Sequence, residues 1–259
     1  LTLTVIDLFC GCGGFSLGFD YAGFEIIYAL DNWKTACESY QANFPDVEVV
    51  CEDALSLTAD DIPDADIIIG GPPCQEFSVA NLNKKFDTSL IQWFWDIVVE
   101  KNPKYVIMEN VPLVKDFLPM SLFRAFPYTN LGFRTKIYRM CDFGVPQIRK
   151  RLFSGIFPEP ARNPVDVVFP TVMATEWKGR GGPRQMARLA DVFRRKSLIP
   201  EAKLVQTFPL DYYLAGTLKE QYEQIGNAVP PLMSYRLAEA IYLREEGQMP
   251  ILDFEEVEA

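Results

Sequence analysis

The 259-residue sequence predicts an α/β protein, a doubly wound and mostly parallel sheet joined to a small loop-rich domain. Three observations carry that prediction. Short apolar runs alternate with amphipathic ones through the first half of the chain, as strands alternate with crossover helices. Gly, Pro or Asp bounds most of the runs. A Pro- and Gly-rich stretch then breaks the alternation before amphipathic segments return.

In chain order, Thr4–Phe9, Phe24–Leu30, Val47–Val50, Ile67–Ile69 and Tyr105–Met108 read as strands. Trp33–Asn43 and Leu90–Lys101 read as helices between them. Right-handed crossovers put the loop after each strand on one edge of the sheet, where ligands bind. From Pro158 to Arg184 the chain holds Pro158, Pro160, Pro164, Pro170, Pro183 and the glycines 179, 181 and 182. No long helix survives that composition, so the stretch reads as a loop-rich insert. Regular patterning resumes in Pro200–Phe208 and in Pro231–Leu243, the second an amphipathic helix opened by proline.

Composition narrows the chemistry. The chain is 49% hydrophobic and 23% charged, and no apolar run approaches the roughly 20 residues of a membrane span. Leu1 to Leu8 already reads as a buried strand rather than a signal peptide, so a cytoplasmic protein without a membrane partner is expected. There is no histidine, which excludes Ser-His-Asp triads, Cys-His nucleophile pairs and histidine-bearing metal sites. The cysteines, Cys10, Cys12, Cys37, Cys51, Cys74 and Cys141, form no C-x-x-C pair. A disulfide framework is not expected at this length, and Cys10-x-Cys12 lacks the second pair of a zinc site, so no metal is expected.

The formal charge of −10 argues against nucleic-acid binding by the whole surface. The charge is unevenly spread, however. Lys178, Arg180, Arg184, Arg188, Arg194, Arg195 and Lys196 face the single acid Asp191 in one stretch, while Glu245 to Glu258 is acidic. The basic run reads either as the surface for a localised anionic partner or as a solvated helix face.

Three strand ends carry chemistry. The first runs into Asp7-Leu8-Phe9-Cys10-Gly11-Cys12-Gly13-Gly14-Phe15-Ser16, a glycine turn that lets a cofactor approach the backbone and opens a helix. Ser16 stands where the dinucleotide fingerprint needs a third glycine, which weakens a nicotinamide site. Asp31 ends the second strand, where it can accept from a ribose diol, and Asp53 follows the third, where it can accept from an adenine amine. The fourth strand runs into Gly70-Gly71-Pro72-Pro73-Cys74-Gln75-Glu76-Phe77-Ser78. Two prolines fixing the backbone before a cysteine suit a presented nucleophile; a buried structural thiol is the plainer reading. The fifth brings Glu109-Asn110-Val111 to the same edge, where Glu109 is either a helix-cap acid or a proton donor facing the thiol.

These segments resemble the cytosine-C5 DNA methyltransferases, and they occur in that family's order. The resemblance runs from Asp7–Ser16 through Gly71–Ser78 and Glu109-Asn110-Val111. It continues in Gln147-Ile148-Arg149-Lys150-Arg151 and closes with Gln224-Ile225-Gly226-Asn227-Ala228-Val229-Pro230-Pro231. It implies a Rossmann-like methyltransferase core using S-adenosylmethionine, with double-stranded DNA as the partner and a short specific site. A cognate restriction endonuclease and the oligomeric state stay open.

The resemblance also implies roles. Cys74 would add to C6 of a flipped cytosine, with Glu109 protonated against N3 and the exocyclic amine. Arg149 and Arg151 would hold the flipped nucleotide. Phe9, Gly11, Gly13, Asp31, Asn32, Asp53, Ala54, Pro72, Leu90, Asn227 and Val229 would bind the cofactor. Gln75, Ser78, Gln147, Lys178, Arg180, Arg184, Arg188 and Arg195 would contact DNA. The catalytic and cofactor-binding domain would comprise 1–157 plus 210–259, and the small target-recognition domain 158–209.

The sequence departs from the family pattern in three places. Asp31 replaces the usual glutamate, no arginine stands near Thr88–Ser89, and Leu198-Ile199-Pro200-Glu201 replaces a Thr-Pro-Arg-Glu run. The tRNA-methylating branch of the family carries a Cys-Phe-Thr signature in its recognition region. No cysteine follows Cys141 here, which favours DNA. A binding subunit that kept the fold without the chemistry would not need both Cys74 and Glu109.

Overall fold

The computed structural model describes residues 3–73, 87–118, 131–174 and 199–247. Strand β1 (Thr4–Leu8) leads through helix α1 (Gly14–Tyr21) to β2 (Glu25–Asp31), then α2 (Lys34–Asn43) and β3 (Glu48–Cys51). Next come β4 (Ile67–Gly70), α3 (Ser89–Lys101) and β5 (Tyr105–Asn110), then β6 (Arg134–Arg139) and β7 (Lys150–Ile156). Helices α4 (Ile199–Gln206), α5 (Leu218–Asn227) and α6 (Pro231–Glu246) follow.

The seven strands lie in the order β3-β2-β1-β4-β5-β7-β6. The first five are parallel neighbours, whereas β7 runs antiparallel to both β5 and β6. The chain reverses direction across the sheet between β1 and β4, so the crevice of a doubly wound sheet opens above the ends of those two strands.

Alternation along each strand builds two cores. Val5, Ala29, Ile69 and Ile107 face one way, against Phe15 and Phe19 of α1, Tyr40 of α2 and Met233 and Leu237 of α6. Ile6, Leu8, Leu30, Ile68 and Met108 face the other, against Phe94, Trp95 and Val98 of α3. Strands buried on both faces read as near-continuous apolar runs, which is why they are visible in sequence. Helix α4 buries Ile199, Ala202 and Val205 in the first of these cores, beside residues of α1 and α6.

The α6 helix closes the molecule on its beginning. A Cβ on Gly18 would lie 2.3 Å from the Tyr235 amide nitrogen and 2.4 Å from the Pro231 carbonyl oxygen, so the backbones of α1 and α6 touch there. A Cβ on Gly14 would likewise lie 2.4 Å from the Val229 carbonyl oxygen.

The β6–β7 pair and α5 add to what the apolar pattern marks out. Strand β6, Arg-Thr-Lys-Ile-Tyr-Arg, is the sheet's edge and buries only Tyr138, so it has no apolar run to read. Helix α5 has a polar sequence, but Thr217 and Glu220 form a capping box at its start. The Thr217 amide and hydroxyl donate to Glu220 Oε2 at 2.8 and 2.7 Å.

Candidate active site

A cavity of about 610 Å³ opens at the carboxyl ends of β1, β2, β4 and β5. Its floor is the turn after β1. Phe9 adopts a left-handed φ of 66°, which ends the strand and bends the chain into the glycine loop. Gly11 follows at φ 55°, and a Cβ there would meet nothing within 4 Å, so its backbone is bare to the cavity. Gly13 differs. A Cβ on it would meet Phe44 and the Tyr212 hydroxyl at 2.7 Å, so it is a packing glycine behind the wall.

Asp31 lines the same cavity from the end of β2. Its Oδ2 accepts from the Gly11 amide and its Oδ1 from the Trp33 amide, both at 2.8 Å. Burial pushes its pKa up, and these backbone donors oppose that shift. The carboxylate is thereby held in one orientation with acceptor capacity left for a diol. Asn32 and Trp33 continue this wall, and Asn227, Ala228 and Val229 close it from the α5–α6 junction.

The opposite wall is built by Gly71, Pro72, Pro73 and Glu109. Glu109 is buried on β5, and desolvation raises its pKa against the opposing charges of Arg151 and Arg149. Arg151 Nε lies 3.0 Å from Glu109 Oε1, and both side chains reach the cavity. Asn110, which sequence reasoning did not single out, donates from Nδ2 to the Pro72 carbonyl oxygen at 2.9 Å. That bond ties the Pro-Pro turn to the strand end carrying Glu109. Its adjacency to Glu109 at the end of an apolar strand was the available signal. Cys10, Cys12, Phe15, Trp33 and Gln224 line the cavity as well.

Several expected residues stand elsewhere. Asp53 Oδ1 accepts from the Leu55 amide at 3.0 Å, capping a short turn whose Ala54 is buried. Leu90 packs on the α3-side core. None of these three, nor Gly13, lines the cavity. Arg149 is 1% exposed. Its guanidinium donates to the carbonyls of Val172, Gly226 and Ala228 at 3.3, 2.9 and 3.2 Å rather than facing the cavity. Gln147 is fully buried and bonds to Val205, Gln206 and Val172, so it offers no surface to a duplex in this structure. Cys74, Gln75, Ser78, Lys178, Arg180, Arg184, Arg188 and Arg195 lie outside the described residues.

A sheet that reverses direction beside a cavity with a bare glycine turn and a strand-end carboxylate defines a Rossmann-like, cofactor-binding α/β protein. The family model for C-5 cytosine-specific DNA methylase matches residues 3–170 and 178–243, and the chain belongs to that family. The chain is 32% identical to Type II methyltransferase M.HgiDI of Herpetosiphon aurantiacus, over 92% of this chain and 94% of that one. With Type II methyltransferase M1.HphI of Haemophilus parahaemolyticus it shares 29% identity, over 93% and 87% of the two chains. Among solved structures, a Spodoptera frugiperda DNMT2 mutant superposes with a TM-score of 0.72. That match is 17% identical and covers 93% of this chain and all of the other, a likeness of fold. Among the described residues, no helix is long and apolar enough to cross a membrane.

Proposed function

We propose that the protein methylates C5 of a cytosine flipped out of double-stranded DNA at a short specific site, with S-adenosylmethionine as donor and Cys74 as nucleophile. The observation that carries this reading is the placement of Glu109, buried and paired with Arg151, across one cavity from Asp31 and the bare Gly11 backbone. The donor fits the residues present. Gly11 admits close approach, Asp31 offers acceptors to a ribose, and Phe9, Asn227 and Val229 supply the remaining wall. When bound, the donor supplies an electrophilic methyl group.

The chain's own residues do the rest. Cytosine C5 is a weak nucleophile, so the Cys74 thiolate adds to C6 and gives C5 carbanion character. Glu109, whose raised pKa keeps it protonated at higher pH than a free glutamate, gives its proton to N3 and relieves the charge that builds on the ring. Arg151 holds the Glu109 carboxyl in place and lends positive field to that edge, a task for which no histidine exists. After methylation Glu109 takes its proton back from N3, water accepts the C5 proton, and the electron pair of that C–H bond forms the C5–C6 double bond and expels the Cys74 thiolate by β-elimination. The base must leave the stack to reach this edge.

The basic run between Lys178 and Lys196 is the DNA-facing part of this reading; the catalytic body is 1–157 with 210–259 and also takes in helix α4, which packs in its core and moves the expected boundary at 209 back to the start of that helix. A restriction endonuclease partner is suggested by the Type II names of the relatives. Incubation with radiolabelled S-adenosylmethionine and either duplex DNA or tRNA tests the substrate. Bisulfite sequencing of DNA from expressing cells then locates the site. A 5-fluorocytosine at that site traps the enzyme covalently through Cys74, because fluorine blocks the elimination. Cys74→Ser abolishes both turnover and trapping while donor binding persists. Trapping at another residue overturns the assignment.

A further inference from the structure

Three buried side chains outside the cavity form one polar network. Gln147 Oε1 accepts from the Val172 amide at 3.0 Å, while the Val172 carbonyl accepts from Arg149 Nη1 at 3.3 Å. Both backbone groups of Val172 are therefore held by side chains of the segment leading into β7. The same Arg149 Nη1 donates to the Gly226 carbonyl at 2.9 Å, and Nη2 donates to Ala228 at 3.2 Å. Gln206 Nε2 adds a second donor to Ala228 at 2.7 Å, and Gln147 Nε2 donates to Gln206 Oε1 at 2.6 Å. Gln147, Arg149 and Gln206 are at most 1% exposed. Backbone crosses backbone at this point, since a Cβ on Gly226 would lie 2.2 Å from the Ala174 amide nitrogen.

One end of the network is the wall of the cavity, Asn227 to Val229. The other is Val172 to Ala174, the chain immediately before the segment that holds the basic run. A buried guanidinium spanning three carbonyls has high stakes. Each acceptor lost leaves a desolvated polar group, so the two backbone segments cannot shift independently at low cost. We infer that Gln147, Arg149 and Gln206 are positioning residues that lock the donor-cavity wall to the stretch of chain, Val172 to Ala174, that leads into the segment holding the basic run. Donor and DNA binding are thereby linked through Val172. This rests on the reading of the cavity as the donor site.

The test measures that linkage. In the wild type, S-adenosylhomocysteine tightens binding of a duplex carrying the mapped site, and the duplex tightens S-adenosylhomocysteine by the same factor, roughly fivefold or more. Arg149→Lys keeps the charge but cannot span three carbonyls, and Gln206→Leu removes one donor to Ala228. In both, the factor falls towards one, with each ligand still binding on its own. Arg151→Lys, which disturbs the Glu109 side instead, slows methyl transfer but retains the factor. A second measurement needs no variant. Hydrogen exchange of the wild type with and without S-adenosylhomocysteine shows slower exchange at the Val172 amide, although Val172 does not line the cavity. An unchanged factor in the folded variants, or an unprotected Val172, overturns the inference alone. No binding of S-adenosylhomocysteine by the wild type overturns the donor-site reading itself.

Discussion

Arg151 Nε and Glu109 Oε1 meet at 3.0 Å across the antiparallel junction of β7 and β5, where Asn110 pairs with Leu152. The reversal of strand direction at this junction is what brings them together. Strand β5 delivers Glu109 near its carboxyl end, and β7, running the other way, delivers Arg151 near its start. The guanidinium sets its positive charge against one oxygen of the buried carboxyl. The cost of burying the acid is partly offset by the guanidinium, which leaves the pKa raised but restrained.

Glu109→Gln therefore lowers the single-turnover rate of methyl transfer by on the order of 10²-fold, with little change in ligand affinity. An amide keeps the shape and the hydrogen bonding but cannot deliver a proton. The wild-type rate falls as pH rises through the raised Glu109 pKa, because the protonated form is lost. That limb is absent from the Glu109→Gln pH profile. Equal single-turnover rates for the two proteins would remove the role.

Asp31→Ala weakens S-adenosylhomocysteine specifically, as read by calorimetry. It removes the acceptor offered to a ribose and also frees the Gly11 amide from its 2.8 Å bond, loosening the cavity floor. Affinity unchanged by Asp31→Ala would place the adenosyl site elsewhere.

Asp7 gives a stability prediction. Its carboxyl is fully buried, with Oδ2 accepting from the Ser16 hydroxyl at 2.7 Å, and burial raises its pKa from 3.8 to about 7. A raised folded-state pKa means the folded protein holds the proton more tightly than the unfolded chain. The contribution is fully present below pH 3.8 and lost as pH climbs to about 7, by about 4 kcal/mol in all. Asp7→Asn keeps an acceptor for Ser16 and removes that loss. Its stability relative to wild type, from urea melts, rises between pH 4 and pH 7. A constant difference over that range would show that Asp7 does not titrate there.

Replacing Arg180, Arg184 and Arg188 by alanine weakens DNA binding and reduces the slope of log affinity against log salt concentration by up to about 2.7 if all three neutralise phosphates. Affinity for S-adenosylhomocysteine stays at the wild-type value. If the slope of DNA affinity against salt is unchanged, the run is a solvated surface.

The parallel half of the sheet was legible because Ile67, Ile68 and Ile69, or Val106, Ile107 and Met108, are buried on both faces and leave continuous apolar runs. The β6 edge was not, because a strand with one face in water reads as Arg-Thr-Lys. At the site, Gly11, Asp31 and Glu109 declared themselves by standing at the ends of apolar strands. Arg149 and Gln147 also stood in a recognisable motif, yet their partners are main-chain carbonyls and amides from distant segments. Spacing along the chain carries no information about which backbone will cross there. Asn110 has the same limitation, since its bond to Pro72 exists only after β4 and β5 have paired.

The contact of Gly14 with Val229 has a consequence for synthesis. The glycine turn leaves the ribosome more than 200 residues ahead of Asn227 to Val229, which close the same cavity. Such distant pairing comes late in folding because the intervening chain must first be ordered. A nascent or prematurely terminated polypeptide has the first half of a donor pocket and nothing to shut it. A chain cut before Asn227 therefore carries the glycine turn and Asp31 but lacks the wall that Asn227, Ala228 and Val229 supply to the same cavity.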